Sequence, residues 1–545
     1  MGSTFMGLET SKRGLYTQQS ALYTTGHNIS NANTIGYSRQ RVNMEATLGY
    51  PGTGLNAPKI PGHLGTGVQT QSIQRIRDSF VDTQYRQESN KLGYWETRSQ
   101  AITQMEDVLN EPSDYGLAKS MDEFWKSLQD LSVNPENGGA RSVVVQRGIA
   151  VADSFNYLSK SISQIKENAG KEIGISLKNV NSILEQIATI NEQIQAIEPN
   201  GYMPNDLYDV RDTLLDELST YFPIETSNVK SGGNSLAIAE GSVTVSLKLK
   251  DGSSLKLIDG KNFAQLRNSG ASETDGMTPK SAIEGFHIVR LDSSRNDVPL
   301  NNDWTDALAA VQHDISKFSD LGKLKSLVNS YGQATGDPIA PVKGLLPDML
   351  AKLDKMAEAF ATEFNKVHMG DPTDTAKYPQ GSDIYGKQGE TFFINKDEAD
   401  NSGAGITAKN IYISSDIIKD PGKVVASDST PGEAEPGNGK FALKLANMKF
   451  ASLDDLGKVS AQTYFEGLIG QLGVDGQQAT RLSFNSATLQ QAVTERRASV
   501  SSVSLDEEMT NMIIFQQAYN ASARMITVVD ETLDKIINGM GRVGL

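Results

Sequence analysis

Apolar positions recur with helical spacing at both ends of the chain and through most of its middle. After Ser504, the run Leu505-Asp506-Glu507 reads as a capping box, in which the Ser hydroxyl accepts from the amide three residues on and the Glu carboxylate reaches back. Behind that cap, Leu505, Met509, Met512, Tyr519, Ala523, Ile526, Leu533, Ile537 and Met540 follow at four- and three-residue steps, with Gln516 and Asp530 as polar entries. This is a coiled-coil stripe, stopped by Gly539, Gly541 and Gly544. At the other end Met1, Leu8, Leu15, Leu22 and Ile29 are spaced by seven. Phe5, Tyr16 and Tyr23 lie beside them, while Lys12, Gln19 and Gly26 take the alternate core slots. The run Asn28 to Tyr37 ends that seam, because Asn and Gly tolerate the left-handed conformation of a C-cap. Such polar seams make poor helices alone, since nucleation is costly; each is expected to pair with the other and with neighbouring copies.

Between the ends, five helices are predicted in succession. Trp95, Ile102 and Leu109 line the first, closed by Pro112, and Leu117 to Leu131 the second, closed by Asn134-Pro135. Val151 to Ile165 and Val180 to Ile197 mark two more, the latter stopped by Pro199-Asn200-Gly201, and a fifth runs from Asp206 to Leu218. The period then changes to two. Val243, Val245, Leu247 and Leu249 alternate with polar residues, Asp251-Gly252 turns the chain, and Leu255 and Leu257 resume the alternation. Leu236/Ile238 and Phe286 to Leu291 read as further strands. Helical spacing returns behind Pro347-Asp348 and again over 453–472 and 477–500. The expected class is mainly α with an inserted β-domain: a terminal coiled-coil pair (1–60 with 495–545), a long antiparallel bundle (61–223 with 345–370 and 440–494), an outer β-rich domain (224–344) and a loop-rich segment (371–439).

Charge and composition narrow the function. A net charge of −15 without any Lys/Arg-dense run argues against a nucleic-acid partner. The absence of cysteine excludes disulfides, thiol chemistry and Cys-zinc sites. No apolar run approaches eighteen residues, so no membrane span is expected, and Met1 to Ile29 lacks the pattern of a cleaved secretory signal. Candidate chemistry is sparse. Gly381-Ser-Asp-Ile-Tyr-Gly386-Lys387 has phosphate-loop spacing, but Gln388 replaces the hydroxyl residue and no apolar strand precedes it. The histidines, at 27, 63, 287, 313 and 368, lack metal-ligand spacing, and no Gly-x-Ser-x-Gly elbow occurs. Asp506-Glu507-Glu508 suits the positive end of a helix better than a catalytic pair. No catalytic residue, cofactor or metal is therefore expected.

Two motifs carry a resemblance. Asn28-Ile29-Ser30-Asn31-Ala32-Asn33-Thr34-Ile35-Gly36-Tyr37-Ser38-Arg39-Gln40 is similar to the N-terminal motif of the flagellar axial proteins. Val503-Ser504-Leu505-Asp506-Glu507-Glu508-Met509-Thr510, with Phe515-Gln516-Gln517-Ala518-Tyr519-Asn520-Ala521-Ser522-Ala523-Arg524, resembles the members found between hook and filament. The resemblance implies a non-enzymatic structural adaptor of the bacterial flagellum, exported unfolded by the flagellar type III apparatus to the cell exterior. It implies an axial homo-oligomer with the hook protein below and hook-associated protein 3 above, and the C-terminal seam is the natural place for a masking export chaperone. The expected assembly interface is Leu8, Leu15, Leu22, Ile29, Asn31 and Asn33 with Met509, Met512, Phe515, Tyr519, Ile526, Leu533 and Ile537. A hook or distal-rod component is the nearer alternative, against which the Ile-rich Val180–Ile197 helix argues; a secreted adhesin or surface enzyme is the more distant one.

Overall fold

The computed structural model describes residues 5–52, 62, 64–109, 116–269, 276–291, 311–337, 341–371, 374, 377–398 and 403–539. Met1, His63, Pro112, Met540, Gly541 and Gly544 lie outside them. Helix α1 (Phe5–Ser30) leads into an antiparallel hairpin of β1 (Gln40–Ala46) and β2 (Val68–Arg75). Helices α2 (Ser79–Leu109), α3 (Leu117–Val133), α4 (Gly138–Ile197) and α5 (Asn205–Tyr221) follow. A six-stranded antiparallel sheet comes next, its strands neighbouring in chain order: β3 (Ile224–Val229), β4 (Ser242–Lys248), β5 (Ser254–Asp259), β6 (Asn262–Asn268), β7 (Gly285–Leu291) and β8 (Val311–Asp314). Beyond it lie α6 (Lys323–Tyr331), the short pair β9 (Gln333–Ala334) and β10 (Val342–Lys343), and α7 (Leu345–Met369). A second pair, β11 (Phe393–Asn395) and β12 (Ile411–Ile413), then precedes α8 (Ser415–Lys419), α9 (Lys440–Asn447), α10 (Ala461–Ser501) and α11 (Leu505–Asp534). The fold is mainly α with an inserted β-domain.

Several elements differ from expectation for identifiable reasons. The two helices read from Val151 and Val180 are one 60-residue helix, α4, about 90 Å long at 1.5 Å per residue. Gly170 and Gly174 weaken the helical signal between them, yet a Cβ at Gly170 would stand 2.9 Å from the Tyr331 ring and one at Gly174 2.3 Å from Thr278 Oγ1. The glycines are where the β-domain closes onto α4, and a mid-helix glycine costs only about 1 kcal/mol. Helix α10 likewise runs unbroken through Leu472–Gln477 and past position 495. Leu236 and Ile238 lie in turns rather than strands, with left-handed Gly232, Gly233 and Gly241 around them. The β1–β2 hairpin escaped the sequence reading because only one of its strands carries the signal: Val42, Met44 and Ala46 alternate with polar residues in β1, whereas Val-Gln-Thr-Gln-Ser-Ile-Gln-Arg in β2 has apolar residues only at Val68 and Ile73, off the two-residue period.

Two cores hold the body together. One joins the β-sheet to the C-terminal half of α4, to α5 and to α6. The other joins α2, α3, the N-terminal half of α4, α7 and the 371–461 segment. That segment has little regular structure, but Phe392, Phe393, Ile411 and Ile413 are fully buried and stack into a cluster with Phe124, Phe360 and Phe364. The phosphate-loop-like turn belongs to this packing: the Ser382 N–H donates to the Ser427 carbonyl at 3.0 Å, and a Cβ at Gly381 would meet Val425 at 2.7 Å.

His368 is locked into the same core. Its Nδ1 lies 2.7 Å from the Glu390 carbonyl, and its Nε2 accepts the Val425 N–H at 3.1 Å. Burial pushes the imidazole down to about 4, against the Glu390 carbonyl, which raises it. Because the folded value lies below the unfolded value of about 6.5, the unfolded chain binds the extra proton first. This stability is complete above about pH 6.5 and is lost as pH falls toward 4, by about 3 kcal/mol in all. Thermal midpoints measured from pH 7.5 to 4 should fall through this window, and less steeply in His368→Gln.

Candidate assembly interface

The two terminal helices lie against each other along their lengths, and the contact fixes their register. A Cβ at Gly7 would stand 3.6 Å from Val529, and one at Gly14 3.2 Å from Ser522 Oγ. Asn28 Nδ2 donates to Glu508 Oε2 at 3.1 Å. As α1 advances from 7 to 14 to 28, its partner retreats from 529 to 522 to 508, so the pair is antiparallel. The same register sets Ala21 opposite Phe515. The face that α1 turns to its partner is thus the heptad Gly7, Gly14, Ala21, Asn28, whose small side chains let the backbones approach.

The leucine seam predicted from the sequence is one residue away from this face. Leu8, Leu15, Leu22 and Ile29 are half-buried on its flank, whereas Thr17, Ala21, Thr24, Thr25 and Asn28 are buried. On α11, Phe515, Tyr519, Ile526 and Leu533 are half-buried, but Met509 and Met512 are exposed, and Ile537, just past the end of the helix, is 70% exposed. The pair therefore does not enclose its apolar surface. Ile514, Met525 and Val528 on α11 and Phe5, Tyr16 and Tyr23 on α1 also remain open to solvent. Spacing by leucine alone could not show which stripe faces inward; the seven-residue recurrence of Gly7, Gly14 and Ala21 was the available signal. Gly14→Leu is expected to force the helices apart and cost about 1–3 kcal/mol of pairing by overpacking, read as loss of helicity in a circular-dichroism melt of the full chain.

The two sequence motifs meet at the base of this pair. Tyr37 OH and the Gln40 N–H donate to Asn28 Oδ1 at 2.7 and 3.0 Å, and Asn28 Nδ2 donates to the Gln40 carbonyl at 2.8 Å. Arg39 pairs through Nη1 with Glu507 and through Nε with Glu508, both at 2.7 Å, and its N–H donates to the Ser501 carbonyl. Glu508 is 2% exposed. Ser504 Oγ accepts the Glu507 N–H at 3.5 Å, so that half of the capping box forms. The Glu507 carboxylate, expected to reach back to the cap, instead goes to Arg39, because a guanidinium bond is stronger than one to an amide. Asn31 donates to the His27 carbonyl at the end of α1, while Asn33 is exposed. Burial raises the Tyr37 hydroxyl above its ordinary range, with Asp206, Asp209 and Glu508 adding to it. Asn28, Tyr37, Arg39 and Glu508 are the residues of this intramolecular contact that sequence reasoning missed; they belong to the quoted motifs, but only the fold shows that one motif binds the other.

A buried ionic hub then fastens the terminal pair to the body. Arg75, Arg77, Arg86, Arg211 and Arg497 interlock with Asp82, Asp209, Asp212, Asp216 and Glu240. Arg75, at the end of β2, reaches Asp209 at 2.7 Å and Asp212 at 2.9 Å on α5. Arg497, near the end of α10, reaches Asp82 at 2.8 Å on α2 and Asp216 at 2.6 Å. The guanidinium groups of Arg75 and Arg211 lie over the Tyr208 ring, at 5.1 and 5.2 Å from its centre. Burial alone would raise the Asp212 carboxyl, but Arg77, Arg75 and Arg86 hold it well below the usual carboxylate range. Both chain segments that lead to the terminal helices pass through this hub, so the pair is held at a set orientation.

Among the described residues, no helix is long and apolar enough to cross a membrane and no His/Cys/Asp/Glu cluster fits a metal ion. The family model described as the flagellar hook-associated protein FlgK helical domain matches residues 102–393, and the flagellar basal body rod FlgEFG protein C-terminal model matches 496–539. Flagellar hook-associated protein 1 of Bacillus subtilis (strain 168) is 43% identical over 99% of both chains. Its counterpart in Escherichia coli (strain K12) is 24% identical over 96% of this chain and 98% of its own. A solved structure of the flagellar hook junction protein FlgK from Burkholderia pseudomallei superposes with a TM-score of 0.56 at 12% identity, over 77% of this chain and all of that one, a likeness of fold. The identity along essentially the whole length, with the helical-domain match across the body, establishes that this chain belongs to the flagellar hook-associated protein 1 family.

Proposed function

We propose that the chain is a non-enzymatic adaptor of the bacterial flagellum that joins hook to filament by assembling axially through its terminal helix pair. The observation that carries this reading is the incomplete burial of that pair. Its two helices close only one face of each on the other, and the apolar residues left open, among them Met509, Ile514, Met525 and Val528, run along most of α11. Exposed apolar surface of this extent marks an interaction site. Neighbouring copies in an axial layer would cover it, with the hook protein on one side and hook-associated protein 3 on the other. Until then the C-terminal stripe is where a cytoplasmic export chaperone would mask it, before the chain leaves through the flagellar export apparatus for the cell exterior. The long apolar helix expected at Val180–Ile197 is part of α4 and packs on the β-sheet, which favours this reading over a hook or rod component. Deleting the gene tests it: hooks of normal length without filaments, with flagellin lost to the medium, are required, and intact filaments would refute it.

A further inference from the structure

We propose that the cleft between the helical bundle and the β-domain receives an acidic knob from a second copy of this chain. The cleft has a volume of about 460 Å³ and lies where α2, α7 and α10 face Lys250, Asn329 and Gln333 of the β-domain. Met349, Leu468 and Leu472 form an apolar floor. Arg98, Lys343 and Lys352 stand over it, and among the described residues none of the three side chains has an ion pair or hydrogen bond. The carboxylates of the same cleft are already engaged. Asp320 pairs with Lys250 at 2.7 Å, Asp348 takes the Gly344 N–H at the start of α7 at 3.4 Å, and Asp475 accepts from Gln471 at 3.0 Å. The cleft thus holds Arg98, Lys250, Lys343 and Lys352 against Asp320, Asp348 and Asp475, a positive balance on a chain whose net charge is −15.

The complementary feature lies at the other end of the bundle. Residues 430–437 form a fully exposed loop carrying Glu433 and Glu435, with Asp428 at its root and Glu136 beside Gly437. Lys440 lies 3.9 Å from Asp428, and Asn438 Nδ2 donates to Asp428 and Glu435 at 2.6 and 2.8 Å, which leaves both carboxylates charged. The loop is anchored beside the turn between α3 and α4: just after it a Cβ at Gly439 would strike the Ser132 carbonyl in the last turn of α3. The cleft's α7 edge lies level with Ala169, which shares a cavity with Leu346. From Gly138 to Ala169 is about 47 Å at 1.5 Å per residue, so knob and cleft of one chain do not meet. Between copies they form a head-to-tail contact, the kind that builds rings and filaments, and they place attraction where two acidic surfaces would otherwise repel.

This inference rests on the assembly reading above, and the test separates the two. Flagella are isolated from cells producing, in place of the native chain, Lys343→Glu/Lys352→Glu, Glu433→Lys/Glu435→Lys, or all four substitutions; chain incorporation is scored by immunoblot and filament retention after shear by microscopy. Each charge-reversed pair should lower retention roughly three- to tenfold, as the loss of a few exposed ion pairs would, and the fourfold variant should restore it. Because the chain has no cysteine, Lys352→Cys combined with Glu433→Cys should, on treatment with a mild oxidant, yield a ladder of disulfide-linked multimers in flagella and none in the purified monomer. Native retention in the charge-reversed pairs, failure of the fourfold variant to restore it, or incorporated chains that do not cross-link would overturn the inference while leaving assembly through the terminal helices standing. Failure of that underlying reading would appear elsewhere, as incorporation that survives loss of the open α11 face.

Discussion

Asp212→Ala should lower the stability of the chain by about 3–5 kcal/mol, a large share of the 5–15 kcal/mol typical of a folded protein. Asp212 accepts from Arg75 at 2.9 Å, Arg77 at 3.1 Å and Arg86 at 3.2 Å. Removing the carboxylate leaves three guanidinium groups in a buried site short of a counter-charge, which costs far more than the loss of an exposed pair. The sign with pH follows from the depressed carboxyl. Its folded value lies below the unfolded value near 3.9, so the contribution is fully present above the unfolded value and is lost progressively as pH falls from there through the depressed folded value. At neutral pH the native hub is therefore intact and the variant shows the full loss. Asp212→Asn, which keeps an acceptor but no charge, should fall between the two. Urea midpoints of the full chain measure this, and a midpoint unchanged in Asp212→Ala would contradict the role given to the hub.

Much of the fold could be read from spacing because long helices repeat their apolar stripe many times. The bundle helix Leu117–Val133, the α4 stop at Pro199-Asn200-Gly201 and the Asp251-Gly252 hairpin all follow from local rules. What could not be read depends on partners distant in sequence. Segment 371–439 has few periodic signals because its apolar residues, such as Phe392 and Phe393, pack as single side chains into a core built by α3, α4 and α7. The ionic hub is equally silent in sequence, since Arg75, Asp212 and Arg497 stand far apart along the chain. At the terminal pair the apolar stripes were visible, but their division of labour was not. Leu8, Leu15 and Leu22 drew attention by their hydrophobicity, while the faces in contact are set by Gly7 and Gly14, whose significance lies in having no side chain. Glu508 illustrates the same limit. A carboxylate in the first turn of a helix has a sufficient local explanation, and only the fold reveals Arg39 and Asn28 as its partners.

The largest functional effect is expected from the part of α11 that the fold leaves bare. Ile514, Met525 and Val528 are each about half exposed or more, at 55%, 53% and 51%, and lie off the line of Phe515, Ser522 and Val529 that meets α1. Replacing all three with serine removes apolar surface whose burial is worth about 1.5–3 kcal/mol per side chain, yet leaves the ionic hub and the close approach of Gly7 and Gly14 to Val529 and Ser522 unchanged. The fold should be preserved, because each of the three side chains is at least half exposed in the lone chain and none belongs to the ionic hub. Assembly should fail, because every copy in a layer loses the same contribution. The decisive measurement is the number of filaments per hook in cells whose only copy of this chain is Ile514→Ser/Met525→Ser/Val528→Ser, with export verified in the medium. The terminal pair as assembly element predicts bare hooks and shed flagellin; filaments at the native number would contradict it.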